Sequence, residues 1–434
     1  MMAAPAAKEE NAAAALLARH PLPAGAGWAE AARAAAEARL LGMGLPGRRD
    51  EYWRFTDPAG LTVPDAPRAA VLKTDEAPVF GSMDRLRIVF TDGVLDLAAS
   101  DPLALEHVEI VPLAEALARD IHWARDLHGV LEARGQAPVP RPLAALNTAR
   151  AGQGLAIRVT GRAPRPVSLV YRHLDEASDA LVHHLIRVEP GASLTLLENG
   201  PGAARFNTVM EADIAEGGTL HHIRAQGRDH ERRAVTHCFA RLASGATYKS
   251  FTLTANGRLT RNEQVVELAG PRAVVHLAGA ALGDAVREAF HHDDTVFVIH
   301  AAEDCESRQV FKKVLRNGAV GVFQGKILVR PGAQRTDGYQ LSQSLLLDEA
   351  SAFSAKPELE IYADDVKCSH GSTTGAIDDD LLFYLRARGV PRDEAQNLLV
   401  LAFLAEAIAE IEDAALAEEI RGRLEGWLAR HRSG

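Results

Sequence analysis

PGASLTLLE (Pro190–Glu198), EGGTLHHIR (Glu216–Arg224), SGATYKSFT (Ser244–Thr252) and AGPRAVVHL (Ala269–Leu277) are four versions of one unit. Each places a glycine in a turn just ahead of an alternating, strand-like run. The glycines are Gly191, Gly217, Gly245 and Gly270, so the steps between them are 26, 28 and 25 residues. Similar but unequal periods of this size, in text that is strand-like throughout, point to the stacked coils of a β-solenoid. A double-sheet sandwich or a cupin-like barrel would also present a strand every ~8–12 residues. The length of the run, from Leu155 through LAIRV and VSLVY onward, favours the solenoid. It predicts one continuous parallel β-helix over about 150–375, with the four glycines at coil corners.

The solenoid text ends in PELEIYADDVKCSHGSTTGAIDDDLLFYLRARG (Pro357–Gly389). Leu359 and Ile361 keep the strand alternation. Asp364, Asp365 and Gly371 then bracket a short polar segment holding Lys367, Cys368, Ser369 and His370. After Gly375 the period becomes helical: Asp378, Asp379 and Asp380 suit a helix N-terminus, Arg386 and Arg388 its last turn, and Gly389 its stop. In an extended segment residues i and i+2 share a face, so Cys368 and His370 can reach one soft metal centre. The pair alone supplies two ligands where structural zinc takes four. A buried small thiol beside a loop histidine bonded to backbone accounts for the same residues. Lys367 would favour the Cys368 thiolate if its ammonium lay close.

Upstream of the solenoid, residues 1–45 are Ala-rich and broken at Pro21 and Pro23, which predicts helices over roughly 9–20 and 27–42. GLPGRRDEYWRFTDP (Gly44–Pro58) reads as a loop that Tyr52, Trp53 and Phe55 pin onto the domain behind it. Between about 60 and 140, short strand-like runs such as Leu86–Phe90 mix with a helical stretch near 113–133. Downstream, three helices are expected: 378–388, one opened by Pro391 at its first position, and roughly 413–431. The middle one (Leu398–Ile411) is apolar almost all round, so it is either fully buried or covered by a partner. In so short a tail, Leu398, Leu401, Phe403, Leu404 and Ile408 favour the partner.

Composition narrows the function. With 434 residues, 47% of them hydrophobic, the chain can bury a large core. A net charge of −10 without a sustained basic run argues against nucleic acid. Three widely spaced cysteines make neither a disulfide framework nor a CxxC pair, which suits a reducing compartment. The absence of a signal-peptide pattern and of a long apolar window predicts a cytoplasmic protein away from membranes.

Other motifs carry less chemistry. His183-His184, His221-His222 and His291-His292 invite a metal site, but adjacent strand residues face opposite ways, so each pair offers at most one ligand. Cys238 sits in an alternating strand, and Cys305 among Glu303, Asp304 and Glu306, carboxylates that would raise its pKa. GVFQGKI (Gly321–Ile327) has three residues between its glycines and Ile after Lys, where a phosphate loop needs four and Ser or Thr. No Ser-His-Asp or G-x-S-x-G arrangement is present. Abundant carboxylates keep a polysaccharide-active β-helix enzyme as the alternative, against which stands an aromatic content of 5%.

From Phe323 to Val390 the chain carries long, specific motifs: FQGKILVRPGAQRTDGYQ (Phe323–Gln340), Leu345-Leu346-Leu347, PELEIYADDVKCSHGSTTG and LLFYLRARGV. They resemble the C-terminal core of the SufB/SufD family of iron–sulfur cluster assembly scaffolds. The SufD branch is the nearer one, because Gly371 rather than an acidic residue follows His370. Ser372 and Thr374 stand where Ala and Val are more usual, which puts nothing chemical in doubt. Arg48–Thr56 and Pro140–Gly152 resemble further segments of that branch.

The resemblance implies a mainly β protein. A right-handed parallel β-helix core (140–376) would lie between an N-terminal α/β domain (1–139) and a C-terminal α-helical domain (377–434). It further implies a non-catalytic scaffold that pairs with a SufB-like subunit near the C-terminal ends of the two β-helices. A SufC-like ATPase would dock on the C-terminal helices, and sulfur would arrive through the SufB-like subunit. A transient iron–sulfur cluster would form at the interface with His370, then Cys368, as this chain's ligands, and no tightly bound cofactor. The resemblance leaves open whether the chain alone also forms a homodimer. Nothing in the resemblance carries the sulfur-acceptor role onto Cys238 or Cys305.

Overall fold

A computed structural model describes residues 4–71, 77–227, 231–286 and 289–431. Among the described residues, nineteen strands form a ten-stranded and a nine-stranded sheet, with successive strands of the solenoid alternating between the two. From Gln153–Val159 to Val366–Gly375 every ladder is parallel, and each strand pairs with the strand two steps along the chain. This is the parallel β-helix that the recurrent unit predicts. It extends further back than that unit, because Leu86–Thr91 adds a parallel strand beside Val167–Arg172. Short antiparallel strands, Val94–Asp96 and Val108–Pro112, then close the N-terminal end.

One corner explains the period. The backbone turns there through a left-handed residue whose N–H donates to a carbonyl of the next coil. Gly191, Gly217 and Gly245 hold φ of 68°, 63° and 63° and donate to Glu216, Ser244 and Pro271, each at 2.9 Å. Glycine adopts this conformation without Cβ strain. In the next coil the place belongs not to Gly270 but to Arg272 (φ 60°), followed along the stack by Asp304 (58°) and Arg335 (56°). Gly270 is required for another reason: a Cβ on it would lie 2.2 Å from the Ser244 backbone nitrogen.

The ladders stack side chains into columns. Leu194, Leu220, Tyr248, Val275, Ser307, Gly338 and Cys368 form one inward column. Leu196, His222, Ser250, Leu277, Gln309, Gln340 and His370 form the next inward column two positions on. The interior therefore starts apolar, where each buried Leu contributes about 1.5–3 kcal/mol, and turns polar towards the C-terminal end.

Both outer faces are covered. The N-terminal segment lies over the nine-stranded sheet, where Arg261 donates to Tyr52 O at 2.9 Å and packs 4.0 Å from the Trp53 ring. Thr56 donates to Asp293 at 2.6 Å in the same place. Tyr52 and Trp53 are buried and Phe55 partly so, which makes Gly44–Pro58 the pinning loop its aromatics suggested. The helix Gly27–Met43 matches its predicted span and Ala4–Arg19 begins five residues ahead of its own, whereas the stretch near 113–133 breaks into Leu113–Ala118, a 3-10 turn and Val130–Arg134.

The tail helices are Asp379–Ala387, Arg392–Ile408 and Ala414–Arg430, with Pro391 at the N-cap of the second rather than inside it. The second helix is not left for a partner. Its Val400, Leu404, Ala407 and Ile408 pack on the outer face of the ten-stranded sheet, against the cluster that holds Ile223, Phe251 and Val310. Ion pairs fasten it there, Lys312 to Glu406 at 2.6 Å and Arg308 to Glu410 at 2.5 Å. Large exposed apolar residues lie mainly on the first tail helix, at Leu381, Phe383 and Tyr384, with Leu398 the one on the second.

Two neighbouring substitutions should therefore act with opposite sign. Gly270→Ala forces a backbone shift in the adjoining coil and should cost about 2 kcal/mol or more. Arg272→Gly relieves a left-handed residue, with part of the gain offset in the unfolded chain, and should stabilise by up to about 1 kcal/mol. Denaturant midpoints of the isolated chain measure both.

Candidate functional site

Cys368 and His370 lie in the last strand, Val366–Gly375, which continues past Gly371 rather than breaking into a polar loop. The preceding strand of the same sheet, Thr336–Leu346, pairs Gly338 with Cys368 and Gln340 with His370. Both residues thus occupy inward columns, and the extended geometry puts them on one face as their spacing predicted. No further coil covers them, so Cys368 is half-buried and His370 exposed at the open end of the solenoid. The Cys368 side chain packs with Ile327, Val329, Leu359 and Val366. A Cβ on Gly338 would lie 3.2 Å from its Sγ, so that glycine leaves the thiol its room. The His370 imidazole makes no hydrogen bond or ion pair among the described residues.

Burial pushes the Cys368 thiol above its ordinary value, and Asp337 of the preceding coil adds to the rise while a backbone contact at Gly338 opposes it. Lys367, exposed and in the outward phase, is not the electrostatic neighbour that its place in the sequence suggested. The thiol is therefore a poor free nucleophile and becomes a thiolate where a cation displaces its proton.

Behind the pair, the interior is polar and incompletely paired. Gln309 and Gln340 are fully buried. Neither their Nε2 nor their Oε1 atoms have a protein partner among the described residues, and neither does Ser342 Oγ. An orphaned buried polar atom costs roughly 1–3 kcal/mol, and such atoms in native proteins are satisfied by ordered water. A Cβ on Gly325, in the opposite wall, would lie 2.5 Å from Gln340 Oε1, so the absence of a side chain there is what lets the carboxamide lie across the core. Sequence reading missed both glutamines. Their only signal is that they share the phase of Leu196 and Leu277.

The remaining candidates have structural partners. Each histidine pair splits across its strand: His184, His222 and His292 point inward, and His183, His221 and His291 outward. His222 meets Glu198 at 2.6 Å, His183 meets Glu211 at 2.9 Å, and His292 meets Lys313 at 2.9 Å. Among the described residues no three His, Cys, Asp or Glu side chains cluster to hold a metal ion. Cys238 is buried beside the Tyr248 hydroxyl, and its thiol is pushed up to about 11 by burial. Cys305 is also buried and raised, first by burial and only lastly by Asp304, so carboxylates are not the main cause. Gly321–Ile327 lies within the strand Val320–Val329, an extended backbone that cannot wrap a phosphate.

Comparison with known proteins agrees with these motifs. A family model described as "SUF system FeS cluster assembly, SufBD core domain" matches residues 172–403. The iron–sulfur cluster assembly protein SufD of Escherichia coli is 29% identical over 412 residues, covering 89% of this chain and 90% of that protein. An iron–sulfur cluster assembly SufBD family protein of Synechocystis is 27% identical over 414 residues, 88% of each chain. SufD of Bacillus subtilis is 27% identical over 255 residues, 57% of each. No helix among the described residues is long and apolar enough to cross a membrane.

Maleimide should label Cys368 alone in the native protein and all three cysteines after denaturation. Because the Cys368 pKa is raised, its thiolate fraction and labelling rate should still be climbing at a pH where an ordinary exposed thiol has levelled off. Mass-mapped labelling kinetics check both points, and appreciable native labelling of Cys238 or Cys305 would contradict the assignment.

Proposed function

The chain belongs to the SufBD family of the SUF iron–sulfur cluster assembly system, and from that premise we propose that it is a non-catalytic scaffold subunit lending two ligands to a cluster built at an interface. The observation that carries this reading is the placement of Cys368 and His370 on one face of the uncapped terminal strand. A thiolate and an imidazole suit iron and iron–sulfur clusters, and a pair cannot complete a cluster's ligation. The remaining donors must come from another chain, which makes the cluster transferable cargo rather than a resident cofactor. His370, exposed and without a protein partner, is the leading ligand and Cys368 the second.

The partners proposed are a SufB-like scaffold at the open end of the solenoid and a SufC-like ATPase on the tail. Val366–Gly375 carries an unpaired edge of backbone donors and acceptors that a second β-helix can extend. For the ATPase, the exposed Leu381, Phe383 and Tyr384 of the first tail helix supply a better surface than the second helix, whose apolar face is already used. Deleting residues after 390 would uncover the ten-stranded sheet, so a point change tests docking more cleanly. The polysaccharide-enzyme reading gains no support, since both outer sheet faces are covered.

In the co-purified complex of scaffold partner, ATPase and this chain, His370→Ala should leave assembly intact and iron and sulfide content near background. Cys305→Ala should load normally. Full loading with alanine at 370 would remove this chain from the chemistry. Phe383→Asp should weaken ATPase binding by at least about tenfold, an anchor-sized loss, with the scaffold contact unchanged. Titration calorimetry with the purified ATPase reads it, and undiminished affinity would discard this docking face.

A further inference from the structure

We infer that Gln340 is a positioning residue for His370, its buried carboxamide orienting the imidazole by a hydrogen bond, directly or through water. The inference rests on the cluster-site reading above and adds a residue to it. A histidine that binds metal through one ring nitrogen donates from the other to a carbonyl, carboxylate or water, which fixes its tautomer and orientation. His370 has no such partner among its outward neighbours. Its register partner on the preceding coil is Gln340, in the same inward column. Gln340 is fully buried, and both ends of its carboxamide lack a protein partner among the described residues.

The surroundings fit this role. Gln309, the next residue of the column, also has a free carboxamide, and Ser342 Oγ is free two positions along the strand. Gly325 in the opposite wall admits the Gln340 carboxamide, whose Oε1 would lie 2.5 Å from a Cβ there, so the interior behind His370 is polar and closely filled. A carboxamide suits the position because it can accept from a ring N–H directly or through water, and it adds no charge to a site that must pass its cluster on. A purely packing role would call for a Leu, as at 196 and 277 of the same column.

The test uses the co-purified complex with its scaffold partner and cobalt(II) as the probe, followed by ligand-field absorption. Gln340→Leu should lower the cobalt affinity of the His370-dependent site by about 10–100-fold, with the thermal midpoint unchanged or higher. Gln340→Asn, which keeps an uncharged carboxamide, should stay within about threefold of the unmodified complex. Cobalt affinity unchanged in Gln340→Leu, while His370→Ala abolishes binding, would overturn the role of Gln340 and leave the cluster site standing. A lowered thermal midpoint together with an equal loss in Gln340→Asn would assign Gln340 to packing and overturn it as well. Cobalt binding that His370→Ala does not diminish would overturn the cluster-site reading itself.

Discussion

Each coil of the solenoid satisfies its backbone by hydrogen-bonding the coils above and below, so the cost of unpaired groups is deferred to the two ends. The N-terminal end is closed: a strand of three residues and one ending in Pro112 turn antiparallel against the first coils. Short strands and proline are ordinary ways of blunting an edge. Among the described residues the C-terminal end has no such cap. Two ten-residue strands, Ala352–Ile361 and Val366–Gly375, stop side by side with their outer edges open. The asymmetry places the candidate site, because inward columns surface only where the stack ends.

The inner columns reinforce that asymmetry. Near the N-terminal end they are filled mostly with Leu, Val and Ile. Further along, buried polar groups take over in partnered sets: His222 with Glu198, Lys313 with Asp294 and His292, and His300 with Ser307. In the two coils before the last strand, partners are lacking at Gln309, then at Gln340 and Ser342. Buried polar networks specify a structure when complete, and an incomplete one marks where water or a ligand finishes the set. This one stops directly behind His370.

Much of this was legible in the sequence, for reasons that can be named. Glycine at left-handed corners marked three coils, and the period failed at the fourth only because Arg272 takes the strained position and Gly270 serves a close approach. Cys368 and His370 were readable as a same-face pair because period two is strict in extended chain. The tail misled for a different reason. SLTLLEN and YKSFTLT place apolar residues in both phases, the mark of a strand covered on its two faces. Had Leu197, Phe251 and Leu253 been read as an outer face awaiting a cover, the second tail helix would have had its seat without a partner. Gln309 and Gln340 stayed hidden because glutamine in alternating text reads as solvent-facing, and register alone reverses that.

The two terminal strands do not offer the same edge. Ala352–Ile361 contains Pro357, which lacks an N–H and suits an edge strand better than a continuous ladder. Its outer face is also held by the N-terminal loop, through Tyr52 with Glu358 and Lys356 with Glu51. Val366–Gly375 has no proline, and most of its residues are exposed. Along that strand the backbone donors and acceptors lie in the plane of the sheet while Cys368 and His370 project out of it, into the solenoid. Pairing and ligation therefore use different groups of the same ten residues and do not compete. A chain that extends the sheet here also sets its own inner columns over Cys368 and His370, closing the polar end of the core from above. Binding of a second β-helix and completion of a ligand set are then one geometric event, and parting the two chains would undo both.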